Sequence, residues 1–312
     1  QDGIAYGVSA GTQTRAADSY CNNTLPDYFK VWAKSADGLY INGDKIVNSD
    51  GVWTDADGTR YWPDGKTLDF YAEVNGDEEF SFNNGAPTFN DFTVKDAVAE
   101  QVDLMYSVRK GQTKTVDKVQ LNFRHALSQI VFRIRNTSSN LTVFVDAVKV
   151  EGIEKQGTFF WPTLSTTTQW QGTEKDTETD NSWGRWNIVY NKENAKQNNY
   201  AAEIIPIMEQ GFVGSIDASV RDLTVKTDNG YKGLLLLPQT LNPWITKTGG
   251  SDEYPEYKIT GTARVLVKCK LVDTVSNVQL WPNTNSHEET AWVGVSLVGE
   301  PKDINGKTKQ VW

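Results

Sequence analysis

The stretch that decides the fold is Val119-Gln120-Leu121-Asn122-Phe123-Arg124-His125-Ala126-Leu127-Ser128-Gln129-Ile130-Val131-Phe132-Arg133-Ile134-Arg135. Its opening alternates: Val119, Leu121 and Phe123 fall on one side, Gln120 and Asn122 on the other. A period of two marks a half-buried β-strand, because successive side chains leave a pleated strand on opposite faces. The same period returns in Ile130, Phe132 and Ile134, while Arg133 and Arg135 point away. Between the two runs, over 125–129, the register slips. A bulge or a single helical turn would absorb such a slip.

The same alternation spreads outward from this stretch. Phe29, Val31 and Ala33 oppose Lys30, Trp32 and Lys34; Leu68, Phe70 and Ala72 share a face. Leu141, Val143 and Val145 line one side, followed after a shift by Val148 and Val150. Further strands are expected in 201–208, 216–225, 232–237, 257–271 and 291–298. The run Leu234-Leu235-Leu236-Leu237 before Pro238 reads as a strand buried on both faces. Turns come from Asp37-Gly38, Asn42-Gly43, Asp57-Gly58, Asp64-Gly65, Asn84-Gly85, Asn229-Gly230 and Asn305-Gly306, each supplying the positive φ of a tight hairpin. Only 91–104 offers a weak helical pattern. Many short strands at regular turn spacing predict an all-β protein of sandwich type rather than a parallel α/β sheet.

Length and composition bound the rest. The 312 residues suit two domains, and 38% hydrophobic residues with 11% aromatics suffice for packed cores. A boundary near 157–162 divides the chain into 1–158 and 159–312, with the polar stretch 165–199 as an excursion of the second domain. A net charge of −9 argues against a nucleic-acid partner, which needs a basic face. No apolar run approaches the ~18 residues of a membrane helix. Cys21 and Cys269 are too few and too distant for a zinc site and read as unpaired, mostly buried thiols.

No catalytic motif that local spacing reveals is present; a pair of carboxylates for glycoside hydrolysis, which would meet only in space, stays open, with nothing among the 40 acidic residues to mark one. His125 and His287 are the two histidines; His125 lies in a strong strand region and reads as a satisfied strand-end residue. His287-Glu288-Glu289-Thr290 lacks the second histidine of a metalloprotease helix, and there is no Gly-x-Ser-x-Gly elbow. Asp55-Ala56-Asp57-Gly58-Thr59 opens like a calcium loop, but Arg60 and Lys66 fall where a glycine and a closing glutamate belong. A hairpin tip is the better reading. No catalytic residue, metal or cofactor is expected. Most of the 11 tryptophans read as core. Trp170, Trp183 and Trp186, in the polar stretch, are the candidates for glycan contact.

Several segments in order resemble the fimbrillin family of Bacteroidales. They are Gly11-Thr12-Gln13-Thr14-Arg15-Ala16 followed by Asp27-Tyr28-Phe29-Lys30-Val31-Trp32-Ala33; Tyr61-Trp62-Pro63 leading to Leu68-Asp69-Phe70-Tyr71-Ala72; Val102-Asp103-Leu104-Met105-Tyr106; the stretch from Val119 to Ser128; Gly157-Thr158-Phe159; and Leu235-Leu236-Leu237-Pro238-Gln239-Thr240. No single piece is specific; their order and spacing over nearly the whole chain are.

The resemblance implies two transthyretin-like β-sandwich domains in tandem, the first carrying a groove that accepts a donated strand. It implies a structural or adhesive subunit of a cell-surface fimbria, exported through the outer membrane as a lipoprotein precursor. It implies other pilus subunits as partners, a trypsin-like protease that cuts between Arg15 and Ala16, and loss of a first strand carrying Ile4, Tyr6 and Val8. The donated strand would lie beyond Trp312 or within 303–312. Asp273-Thr274-Val275 has the form of an O-glycosylation site in exported proteins of this bacterial group, with Thr274 as acceptor. The competing reading is a surface lipoprotein that binds host or bacterial glycans through the three tryptophans.

Overall fold

The computed structural model describes residues 3–10, 27–76, 80–83, 86–166, 184–188, 199–204, 212–213, 220–224, 226–227, 230–231, 233–241, 244–251, 254–259, 261–283, 289–296, 302–304 and 307–309. Among them all regular structure is β except one 3-10 turn at Val98–Glu100. Seven strands close into a barrel: β1 (Tyr6–Ala10), β2 (Tyr28–Ser35), β3 (Gly38–Ser49), β4 (Val52–Asp55), β5 (Leu68–Val74), β8 (Met105–Gln112) and β9 (Val119–His125). Their order around the ring is β1-β4-β3-β2-β5-β8-β9, and β9 returns to β1. Phe29, Val31, Ala33, Phe70, Val119, Leu121 and Phe123 fill the ring, none more than 1% exposed. The alternation of the opening stretch is therefore literal: Val119, Leu121 and Phe123 are the inward residues of β9.

Against the outside of β2, β5 and β8 lies a second sheet, ordered β14-β13-β7-β6. It comprises β6 (Phe80–Asn83), β7 (Ala86–Thr93), β13 (Gln156–Phe160) and β14 (Arg185–Asn187). Trp32, Tyr71 and Tyr106 leave the ring and meet Phe80, Phe82, Phe159 and Trp161; Trp32 stacks on Phe80 at 3.9 Å between ring centroids. The third sheet is built on β12 (Leu141–Glu154), with β15 (Asn199–Ile204) and β16 (Phe212–Val213) on one side. On its other side lies β23 (Arg264–Asp273), which also pairs with β24 (Gln279–Trp281) and β25 (Ala291–Ser296). Short pairs complete the described elements: β10 (Ser128–Ile130) with β20 (Leu234–Leu236), β11 (Arg133–Ile134) with β17 (Arg221–Asp222), and β18 (Lys226–Thr227) with β19 (Gly230–Tyr231). To these belong β21 (Ile245–Gly250) with β22 (Pro255–Ile259), and β26 (Lys302–Ile304) with β27 (Lys307–Lys309).

The slip at 125–129 is neither a bulge nor a helical turn. The chain bends there to pass from one core to the other. Phe123 belongs to the ring, whereas Ala126 and Leu127 belong to the second core, and the Ala126 N–H donates to the Leu104 carbonyl at 2.8 Å. Ile130 and Ile134 consequently sit on separate short strands, half-buried beside that core. The shift inside 141–150 is a bulge at Asp146, between the Val145↔Cys269 and Ala147↔Lys268 pairs. Leu234 to Leu237 are all buried, as their unbroken apolarity requires.

Two local expectations are corrected. Residues 91–104 contain only the 3-10 turn, because Phe92 and Val94 are drawn into the second core and residues 91–93 end β7. Asn42-Gly43 is not a hairpin but the interior of β3. Gly43 takes φ +79° at a bulge beneath Trp32, whose ring lies 3.1 Å from where a Cβ would stand. β12 precedes residue 158, yet its partners come from residue 199 onward, so strand pairing runs across the expected boundary.

The N-terminal strand as candidate functional site

β1 is held in the ring unevenly. On one side it runs parallel to β9 from Tyr6↔Val119 to Ala10↔Phe123. On the other, among the described residues, it meets β4 at Tyr6↔Trp53, with a bridge Gly3↔Tyr61 just ahead of the strand. Just before the strand, the Ile4 N–H donates to the Arg60 carbonyl at 2.7 Å and the Ala5 carbonyl accepts from the Val119 N–H at 2.8 Å. The other described pairings of the ring are antiparallel. Parallel pairing is slightly weaker per residue than antiparallel pairing.

What keeps β1 in place is its inner face. Ile4 and Tyr6 are buried and Val8 packs against the ring core. The Tyr6 ring meets Phe29 edge-on at 6.1 Å and Phe70 at 6.3 Å. Burial of side chains of this size is worth about 1.5–3 kcal/mol each, an upper bound when measured against an extended chain. Three of them amount to a large share of the ~5–15 kcal/mol by which domains are stable. Taking β1 away would also uncover Val119, Leu121 and Phe123. The strand thus fills a slot that is costly to leave empty.

The floor of that slot is not wholly apolar. Among the described residues the buried Tyr6 hydroxyl has no hydrogen-bond partner, and Oδ2 of Asp55 at the end of β4 meets no N–H donor, its nearest company being the Asp44 carboxyl. Asp44 of β3 holds the Nε–H of Arg60, whose Nε lies 3.8 Å from Asp55 Oδ2. Burial pushes the Tyr6 phenol well above its ordinary range, and the charges of Asp55 and Asp44 add to this while Arg60 opposes it. Burial likewise raises the Asp55 carboxyl; the Asp57 N–H counteracts and the neighbouring Asp44 reinforces the rise. Arg60 is raised by its hydrogen bond to Asp44. Two carboxyl groups, one guanidinium and one orphaned phenol therefore share the space beneath the strand.

The 55–59 segment has the geometry of a turn. Asp55 Oδ1 accepts from the Asp57 N–H at 2.9 Å, and Gly58 takes φ +115°. Sequence reading gave no sign that Asp44, Asp55 and Arg60 gather under Tyr6. The signal available was only the acidic pair flanking an arginine in the 55–60 turn.

The remaining site residues fall as follows. Arg15, Ala16, Trp170 and Trp183 lie outside the described residues, as do Cys21 and His287. Trp186 is half-buried on β14, its indole N–H donating to the Ala126 carbonyl at 2.6 Å and its ring 5.2 Å from that of Phe159. Thr274 lies in the turn after β23, its hydroxyl donating to the Ser139 carbonyl at 3.1 Å beside the 90%-exposed Val275. His125 ends β9 with Nδ1 2.9 Å from Asp103 Oδ2, and Cys269 is a buried free thiol.

With this geometry in view, comparison with known proteins places the chain. Residues 14–254 match the model of the fimbrillin-like family. Among solved structures, the chain is similar to a fimbrial protein from Bacteroides vulgatus, with a TM-score of 0.54 and 14% identity. The likeness covers 95% of this chain and 88% of that one. At this identity it speaks for the fold. No curated protein matches.

Proposed function

The chain belongs to the fimbrillin-like family, and from that premise we propose that it is a fimbrial subunit assembled by strand exchange: β1 is a removable plug, released by a cut after Arg15 and replaced by a strand from a neighbouring subunit. The family is structural and adhesive, and the chain is not an enzyme. Its setting is the cell-surface fimbria, and its partners are other fimbrial subunits.

The single observation that carries the mechanism is the attachment of β1. The segment is buried through Ile4 and Tyr6 and laddered along β9 on one side; among the described residues its other side is joined only at Tyr6↔Trp53 and, just ahead of β1, at Gly3↔Tyr61 and by the Ile4 N–H to the Arg60 carbonyl. Removing it leaves an apolar slot and unpaired backbone on β9. An incoming strand satisfies both at once, which is the physical basis of strand addition. In this reading the ring is the acceptor domain and the remainder a second domain. The transthyretin-like tandem, export as a lipoprotein and the trypsin-like protease are parts of the same proposal. Trp186 gives no support to glycan binding, since its indole N–H is committed to Ala126 and its ring to Phe159.

Limited trypsin digestion of the full chain tests this. A single early cut after Arg15 should leave a folded remainder that retains residues 1–15 until a competing strand is supplied. Resistance of that bond while others are cut, or collapse of the fold on cleavage, would refute the mechanism.

A further inference from the structure

The floor of the slot carries an inference about the strand that replaces β1. It rests on the plug reading above. Tyr6 fills its position poorly in one respect. Its ring packs on Phe29 and Phe70, but its hydroxyl is buried with no hydrogen-bond partner among the described residues, and the charges of Asp55 and Asp44 act on it. Asp55 Oδ2 is also buried, with no N–H donor in hydrogen-bond range among the described residues; the Arg60 Nε stands 3.8 Å off and the Asp44 carboxyl beside it. The charged groups around this point are Asp44 from β3, Asp55 from β4 and Arg60 from the turn after β4. Arg60 is the one cation among them, with its side chain 48% exposed and its Nε–H given to Asp44. The pocket therefore holds two carboxyl groups to one guanidinium, and burial beside Asp44 favours the neutral form of Asp55 until a further cation enters.

We propose that the vacated slot selects a strand bearing a basic side chain, lysine or arginine, at the register position of Tyr6, between aliphatic residues at the positions of Ile4 and Val8. Such a residue donates a charge-assisted hydrogen bond to Asp55 Oδ2 and balances the second carboxylate. The usual objection to a buried ion pair is the desolvation of both partners. Here the carboxylates are already buried in the resting protein, so the incoming strand adds only the cost of its own cation. Two positions away on either side the ring core demands apolar groups, because Ile4 and Val8 pack there. The plug would then be a deliberately incomplete match, tight enough to hold the ring and easier to displace than its successor.

The test uses full-length protein cleaved with trypsin and freed of its N-terminal peptide. Three fluorescent peptides are titrated at neutral pH: residues 2–10 as they stand, the Tyr6→Lys form, and the Tyr6→Met form, whose side chain has similar length and no charge. The lysine peptide should bind about tenfold or more tightly than the methionine peptide, the ratio a hydrogen bond to a charged group supports. That preference should vanish in Asp55→Asn protein and shrink in Asp44→Asn protein. Equal or weaker binding of the lysine peptide, with both others bound, would overturn the inference and leave the plug reading standing. Failure of all three to bind would refute the plug reading itself and the inference with it.

Discussion

Replacing Tyr6 by phenylalanine should make this protein more stable, against the usual trend for a buried substitution. The substitution keeps the edge-on contacts with Phe29 and Phe70 and removes only the hydroxyl. That hydroxyl is buried and makes no hydrogen bond among the described residues. An unsatisfied buried polar group costs about 1–3 kcal/mol. The expected gain is therefore ~1 kcal/mol or more, equivalent to roughly 2–4 °C for a cooperative unit of 150–250 residues. The phenol stays protonated across neutral pH, because burial and the nearby carboxylates raise it. The gain should therefore be flat in that range. Urea unfolding followed by tryptophan fluorescence measures the change, and hydrogen exchange of residues 4–10 locates it. Tyr6→Leu supplies the control: it also removes the hydroxyl but gives up both ring contacts, each worth about 0.5–1.5 kcal/mol, and should fall below Tyr6→Phe. A loss of stability in Tyr6→Phe of more than ~0.5 kcal/mol, beyond the scatter expected of an indifferent site, would refute the reasoning by showing that the phenol has a partner in solution.

Asp55→Asn should flatten the pH dependence of ring stability. Asp55 is raised in the folded protein by burial, so its contribution is fully present at low pH and is lost as pH rises through that raised value. The wild type should lose stability over that window and the variant should not; parallel urea titrations across pH would expose an error. Gly152→Ala should cost about 3 kcal/mol or more, since Gly152 takes φ +76° and a Cβ there would stand 2.0 Å from the Thr262 carbonyl oxygen. Equal denaturation midpoints for Gly152→Ala and wild type would contradict the irregularity at Gly152, where the pairing of β12 with β15 skips from Glu151 to Ile153. Trp186→Phe should cost about 1–3 kcal/mol by stranding the Ala126 carbonyl, whereas a tryptophan kept for glycan contact would be replaceable with little loss; thermal melting separates the two.

How much was legible follows from the range of the interactions. The inward sets of β2, β5 and β9 were readable residue by residue, as was the shift at Asp146. The 91–104 helix and the Asn42-Gly43 hairpin were misread because distant packing decides them. Phe92 and Val94 are claimed by the second core, and Gly43 by Trp32 across the β2–β3 ladder. For the site, the alternation of Ile4, Tyr6 and Val8 marked a strand. Its neighbours were not visible.

By itself, then, the sequence determined an all-β protein with strands where apolar residues recur every second position, and it carried no catalytic motif of the kind that local spacing reveals. Those properties are local: a strand's period and a turn's positive φ are written within a few residues. Only the tertiary structure decided that β1 lies parallel to β9, that Tyr6 is paired with Trp53 of β4, and that its buried phenol, unpartnered among the described residues, feels the charges of Asp55, Asp44 and Arg60. Pairing between strands more than a hundred residues apart depends on register and ring closure. Neither leaves a trace in the spacing of any one segment.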